Sequence, residues 1–325
     1  MMMKAVALLK DGSAEITDIA RPEAKRGEVL VRVEYSALDS AYEEVASRTF
    51  IPGSLLHNLR ASPLVAGWHF SGTVEGTGDG TAGLKVGDEV FGHLQYHGST
   101  RQGSLSEYIT VPADECSKVP DGISLTTAAA APTEALTALQ GLRKAGALEG
   151  KRVLVVAAGG GVGFPSIQIA KALKASEVTG ICSTKDVGRV KGHADDVIDR
   201  TEIDITKQLA DRKYDVIYET SGKYSIFQLK YALKRGGAFV STIPSPLNMP
   251  PLSYLVKALT GRTYATLMVQ CNRPDLETVG GWLATGVLEV PIDCTRGVKE
   301  IAAARERNSS PKKRGRVVIK VKGGW

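Results

Sequence analysis

No stretch of the chain approaches the roughly 18 consecutive apolar residues that a membrane span needs, and the amino-terminal MMMKAVALLKDGS has no apolar core of a secretory signal. An integral membrane protein and a secreted one are therefore not expected. Cysteine is scarce and scattered: Cys116, Cys182, Cys271 and Cys294 form no C-x-x-C. That spacing gives neither a disulfide framework nor a structural zinc site and suits a reducing compartment. The chain reads as cytoplasmic, with an organelle reached through a removed transit peptide left open. No fixed-period repeat and no low-complexity linker interrupts it.

What is present is ordinary globular material. The 325 residues are 43% hydrophobic and 23% charged, enough for about two domains with substantial cores. The net charge of +6 comes partly from PKKRGRVVIKVK near the carboxyl terminus. Val317, Val318 and Ile319 are β-branched there, so the segment reads as a basic turn entering a strand rather than a nucleic-acid patch. Up to about residue 120, short β-like runs (KAVALL, EVLVRVEYSAL, FSGTVEGTG, DEVFGHL, SEYITVPA) alternate with Gly, Pro and Asp. At SLTTAAAAPTEALTALQGLRKAG the pattern becomes helical, with Ser124 or Thr126 as caps and Pro132 as a break or a second start. From 151 strand and helix alternate: RVLVVAA, a helix over 163–175, EVTGICS, DVI near 196, YDVIYET, a helix over 225–235, GAFVSTI, and TYATLMVQ as the last strand. Such alternation predicts an α/β fold with a doubly wound parallel sheet. One more helix, near 274–285, and the strand GRVVIKV close the chain.

The run AAGGGVG places four glycines between the buried strand Val153–Val156 and that first helix. Glycine is needed there for a tight turn and for close approach of backbone N–H groups to a pyrophosphate. Gly160, Gly161, Val162 and Gly163 are the candidate pyrophosphate loop, although a strict G-x-G-x-x-G fails because Ser166 takes the last position. A NAD site wants Asp or Glu about 20 residues further on. Here the chain reads ICSTK, and Ser183, Thr184 and Lys185 favour a 2′-phosphate, with Arg200 and Arg189 as further candidates. Asp186, one place past the lysine, is expected to face solvent or cap a helix. The predicted cofactor is NADPH.

Taken together the chain resembles the medium-chain dehydrogenase/reductase superfamily, in its zinc-independent quinone oxidoreductase branch (zeta-crystallin, chloroplast-envelope quinone oxidoreductase and alkenal reductase types). The resemblance spans essentially the whole chain. It rests on AAGGGVG, GICSTKDV followed by HADDVID (His193 replacing the usual Gly), AAAAPTEALTALQGL, GWHFSGTVEGTG, GLKVGDEVFG, GSLSEYITVPA and RGRVVIKV. It implies a Rossmann NADPH-binding domain over 124–271, inserted in a β-rich GroES-like catalytic domain of 1–123 and 272–325. It also implies that Ser221, Gly222 and Thr242 line the nicotinamide-ribose, and that the final Rossmann strand pairs with its copy in a homodimer.

Zinc-dependent relatives need a Cys near 38, a His-Glu pair near 68 and a further Cys or Asp in the interdomain segment. Those places read SALDS, GWHFSG and AAAAPTEAL. Only His69 is left to ligate, and zinc wants three protein ligands; no metal is expected, and His69 reads as a hydrogen-bonded structural residue. SALDSAYEEV replaces the usual N-P-x-D, retaining Asp39, and Tyr42 is the one candidate proton donor. Without a metal, hydride transfer to a quinone or to the C=C of an enone or enal is the accessible chemistry, because a delocalised enolate needs only a few donors. The alternative is a non-catalytic NADPH-binding protein of the crystallin or interaction type. The expected partner is a small-molecule substrate, with no nucleic acid.

Overall fold

The structure is a computed structural model that describes residues 1–9, 13–38, 64–81, 83–95, 102–202, 204–209, 211–243, 247 and 251–325. Two compact units divide it, Met1–Thr133 with Gln270–Trp325, and Glu134–Val269. The divisions fall at 133/134 and 269/270, where the sequence reading put 123/124 and 271/272.

In the first unit, β1 (Met2–Leu8) lies between β2 (Ala14–Ala20) and the short β4 (Leu64–Val65). The larger sheet runs β15 (Ile292–Gly297), β16 (Arg316–Lys320), β3 (Glu28–Leu38), β5 (His69–Thr77), β6 (Glu89–His93), β8 (Cys116–Lys118), with β7 (Tyr108–Pro112) also paired to β3. Val29, Val31, Val33, Phe70, Val90, Leu105, Ile109, Val317 and Ile319 are fully buried in its core. The β-branched tail segment is thus a core strand. Helix α1 (Leu125–Ala130) is capped by Ser124, whose side chain accepts from Thr127 N–H. Its alanines 128–130 are fully buried, and the helix packs on β3, β5, β6 and β16. That packing assigns it to this unit. Pro132 ends the stretch and opens α2 (Pro132–Lys144).

The second unit holds six parallel strands in the order β11 (Asp196–Asp199), β10 (Glu177–Cys182), β9 (Arg152–Val156), β12 (Tyr214–Glu219), β13 (Leu233–Ser241), β14 (Thr263–Thr266). Numbered from β9 this is the 3-2-1-4-5-6 order of a doubly wound sheet, whose topology reverses between β9 and β12. Val153–Val156 are buried on both faces, which explains an apolar run without alternation. Helix α3 (Gly163–Ala172) follows β9 and is buried all round from Gly163 to Ala170. Helix α4 (Thr184–Lys191) follows β10, and α5 (Ile205–Gln208) follows β11. Tyr218, fully buried, donates its hydroxyl to Thr137 O at 2.8 Å. Only a glycine fits at 141, where a Cβ would stand 2.2 Å from that Tyr218 oxygen.

Two elements differ from expectation. The helix expected over 225–235 is only α6 (Ile226–Leu229), because β13 already begins at Leu233. The last strand stops at Thr266 rather than at Gln270, and it is Tyr264, stacked on Phe239 with ring centroids 5.6 Å apart, that faces the core. Helix α7 (Leu252–Thr260) precedes β14, and α8 (Arg273–Ala284) returns to the first unit, where α9 (Ile301–Ser309) leads to β16.

At the amino ends of the parallel strands one ionic chain ties four of them together. Arg152 of β9 forks onto Glu177 of β10, with both N···O distances 2.9 Å. Its N–H donates to Asp215 of β12 at 2.9 Å, and Asp215 receives Lys234 of β13 at 3.0 Å.

The carboxyl-terminal return is held by a second fork, Arg307 Nε and Nη2 on the two oxygens of Asp293 at 2.6 and 2.7 Å. Hydrogen bonding from Arg307 holds the Asp293 carboxyl at about 2, below its ordinary 3.8. The folded state therefore binds this proton less readily than the unfolded chain. The contribution is complete above about pH 4 and is lost as the pH falls through about 2. Asp293→Asn should lower the urea midpoint near neutrality, and the gap to the parent should narrow as the pH is taken down through that window. A gap independent of pH would show that the charge of Asp293 does not stabilise the fold.

Candidate functional site

The parallel strands end flush. Val156 is in register with Ile181 on one side and Glu219 on the other, Glu219 with Ser241, and Ser241 with Thr266. The segments that follow therefore gather along one sheet edge, and ligands of doubly wound sheets bind outside this edge where the topology reverses. The glycine segment and Ser221–Gly222 leave from β9 and β12, the two strands at that reversal.

After β9 the chain turns through Ala157, whose φ of +61° is the left-handed conformation that a side chain rarely adopts. Gly160 N–H donates back to Ala157 O at 2.8 Å. Gly160 and Gly161 are exposed and Val162 is half-buried, so their backbone is open to a ligand at the first turn of α3. Gly163 is buried for a different reason. A Cβ there would lie 2.1 Å from Ala157 O, so this glycine sets the close approach of helix to strand. It takes over the packing role of the missing third glycine. Ser166, in that glycine's place, turns its hydroxyl onto Val162 O at 2.7 Å and is fully buried.

At the end of β10, Ser183 is the N-cap residue of α4, and Thr184 and Lys185 are exposed. Arg200 follows β11, is exposed, and its N–H donates to Cys182 O at 2.9 Å. Cys182 is buried, and burial pushes its thiol up to about 11, which makes it a wall residue rather than a nucleophile. Of the two places expected for Asp186, it does not take the one in solvent: it is buried in the first turn of α4, against Gly159. It accepts from Ser183 Oγ at 3.0 Å and from Arg189 Nη2 at 3.3 Å, and the same Arg189 nitrogen donates to Gly159 O at 2.7 Å. Arg189 lies over the Phe164 ring, 4.6 Å from its centroid. Asp186 and Arg189 are thus parts of the scaffold under the glycines. Beside them Lys185 and Arg200 are exposed cations, with the acids Asp199 and Glu202 flanking Arg200 in sequence.

At the end of β12, Thr220 Oγ1 donates to Val156 O at 2.7 Å, joining this segment to the root of the glycine turn. Ser221 and Gly222 fold back so that both N–H groups donate to the Glu219 carboxylate. Thr242 N–H donates to Glu219 O at 3.2 Å. The structure thus brings Gly160, Gly161, Val162, Gly163, Ser221, Gly222 and Thr242 to one edge, with Ser183, Thr184, Lys185 and Arg200 beside it along the sheet. Tyr42 and Asp39 lie outside the described residues. Glu219 was not singled out from the sequence. Its signal was an acid ending the apolar strand YDVIYE just before a Ser-Gly turn, the position of a self-capping acid.

In the first unit His69 is fully buried, and Arg316 Nη2 stands 3.2 Å from its Nε2. A guanidinium only donates, so that ring nitrogen is the acceptor. Zinc does not fit at a nitrogen facing a cation. Among the described residues no group of three or more His, Cys, Asp or Glu is placed to hold a metal ion, and no helix is long and apolar enough to cross a membrane.

Comparison with known proteins agrees with this architecture. Residues 25–121 match the alcohol dehydrogenase GroES-like domain and residues 193–319 the zinc-binding dehydrogenase family. A mitochondrial NAD(P)H oxidoreductase, RTN4IP1 of Bos taurus, is 32% identical over 80% of this chain and 71% of its own length. The chain belongs to the medium-chain dehydrogenase/reductase superfamily. The 2-methylene-furan-3-one reductase of Solanum lycopersicum is 33% identical over 73% of the chain; the match spans 61% of that protein, under two thirds of its length. The quinone oxidoreductase of Coxiella burnetii superposes with a TM-score of 0.84 at 25% identity, covering 99% of this chain and 100% of that one. This member of the superfamily thus has a Rossmann sheet inserted, in sequence, within a GroES-like fold.

The packing role of Gly163 is testable. Gly163→Ala should cost about 1–3 kcal/mol, because the obstructing atom is a backbone oxygen rather than a side chain. Gly188→Ala, inside α4 with nothing within 4 Å of its added carbon, should be neutral or slightly stabilising. Chemical denaturation of the two variants checks this, and equal stabilities would refute the packing argument.

Proposed function

We propose that this chain is an NADPH-dependent oxidoreductase that delivers hydride to a quinone or to the C=C of an α,β-unsaturated carbonyl, and that it does so without zinc. The observation that carries the proposal is the topological reversal between β9 and β12, with an exposed glycine turn on one side and the Ser221–Gly222 turn on the other. The names of the relatives, a furanone reductase, an NAD(P)H oxidoreductase and a quinone oxidoreductase, support the reaction class.

The backbone of Gly160–Gly163 would receive the pyrophosphate at the first turn of α3. Lys185 and Arg200 would receive the 2′-phosphate, with Ser183 and Thr184 beside them. Arg189 pairs with Asp186 at 3.3 Å, so the carboxylate that disfavours a 2′-phosphate is neutralised from within the fold. Ser221, Gly222 and Thr242 would line the nicotinamide-ribose. Bound NADPH supplies the hydride. The work left to the chain is to orient the two reactants and exclude water, and Tyr42 is the proposed proton donor. His69, held against Arg316, supports the zinc-free reading.

A second reading, a non-catalytic NADPH-binding protein, shares every one of these contacts. Stopped-flow oxidation of NADPH with a panel of quinones, enals and cyclic enones separates the two, since turnover with none of them favours the binder. In equilibrium binding, NADPH should exceed NADH by at least about tenfold, or about 1.4 kcal/mol. Lys185→Glu should weaken NADPH and spare NADH; equal affinities in the parent would sink the phosphate assignment.

We also propose a homodimer through β14. It is the terminal strand of its sheet and carries no charge and no proline, whereas natural edges are usually blunted by one or the other. Pairing with its symmetry mate would satisfy its outward N–H and C=O groups. Sedimentation at micromolar concentration should give a particle of about twice 34.5 kDa; a monomer would defeat the edge argument.

A further inference from the structure

Glu219 is the last residue of β12 and is fully buried, at the end of a strand otherwise made of Tyr, Val, Ile and a half-exposed Asp. A buried carboxylate is costly unless its oxygens are satisfied. Here they are, and by its own loop. Oε1 accepts from Ser221 N–H at 2.9 Å and also from the Ser221 hydroxyl, while Oε2 accepts from Gly222 N–H at 2.7 Å. The main chain of the same residue reaches the next strand end, since its carbonyl accepts from Thr242 N–H at 3.2 Å. The two turns also interlock: Gly222 has φ +70°, and a Cβ on it would stand 2.6 Å from Ile243 Cγ1. One residue therefore sets the path of both segments that leave β12 and β13.

An acid is specifically suited to this post. Both oxygens accept, as the three donors require, whereas an amide would turn an NH2 group toward one of the N–H donors. A strand end with no ligand to shape would be closed as well by an apolar residue and a solvated turn. We infer that Glu219 is a positioning residue for the nicotinamide half of the bound dinucleotide, acting through Ser221, Gly222 and Thr242. The inference rests on the proposed dinucleotide site and adds to it that the two halves of the ligand are held by separate parts of the fold. The adenine half depends on the ends of β9 and β10, and the nicotinamide half on a single buried carboxylate.

The test compares two ligands on the full chain. NADPH spans both halves, whereas adenosine 2′,5′-bisphosphate carries the adenine half alone. Glu219→Gln should weaken NADPH by about tenfold or more and leave adenosine 2′,5′-bisphosphate within about twofold of the parent. With an active acceptor, kcat should fall more than the acceptor KM rises, because orientation rather than acceptor binding is lost. Unchanged NADPH affinity, or equal weakening of both ligands, overturns the inference and leaves the dinucleotide site standing. A parent protein that binds neither ligand overturns the site itself and this inference with it. Thermal melting establishes that the variant is folded. Should Glu219→Gln not fold, Glu219→Asp, which keeps both acceptor oxygens on an arm one carbon shorter, carries the same two-ligand test, with the same split expected and its absence decisive.

Discussion

The side-by-side alignment of the parallel strands is the constraint on which the candidate site depends. Every segment at the sheet's carboxyl edge owes its place to the pairing of Val156 with Ile181 and Glu219. Apolar burial on both faces drives the strands together but is a poor judge of register, since one valine resembles the next. Polar groups at the opposite edge discriminate. The chain Glu177–Arg152–Asp215–Lys234 crosses four strands at their amino ends. These groups are partly exposed, so their worth is specificity more than stability. A slip of one residue would separate the Arg152 fork from Glu177 and the Arg152 N–H from Asp215, and at the far edge it would part the Glu219 carbonyl from Thr242.

The carboxyl edge is built in the opposite sense. Two buried carboxylates there are satisfied within a few residues of themselves. Asp186 is held by Ser183 and Arg189, and Glu219 by Ser221 and Gly222. Neither reaches across the sheet for a partner. The exposed cations Lys185 and Arg200 stand beside these scaffold charges. Close packing sets the remaining geometry, through Gly163 against Ala157 O and Gly159 against Asp186, whose Cγ would lie 2.5 Å from an added Cβ.

The first unit shows the same economy around a different problem. His69 occupies a place where zinc-dependent relatives carry ligands, and the fold gives it Arg316 of β16 as neighbour. A strand from the far end of the chain thus closes the position with a donor. The alanines of α1 serve a related purpose, since small side chains let the helix lie directly on β3 and β5.

What the sequence determined by itself was everything governed by local chemistry. The alternation of apolar runs and helical stretches announced the parallel sheet, and AAGGGVG announced the turn after β9. Local propensity also misled where neighbours overrule it. The helix after Ser225 was cut short because β13 pairs with β12 from Leu233, and TYATLMVQ stopped being strand at Thr266, the last residue with a partner on β13. Only the tertiary structure decided the roles of Asp186, Arg189 and Glu219. Their spacing in sequence is unremarkable, and whether an acid one place past a lysine is solvated or buried depends on Gly159, which approaches it from the turn of another strand. The same holds for Glu219, whose carbonyl meets Thr242 only because β13 lies beside β12. Such contacts join residues tens of positions apart, and no local pattern encodes them.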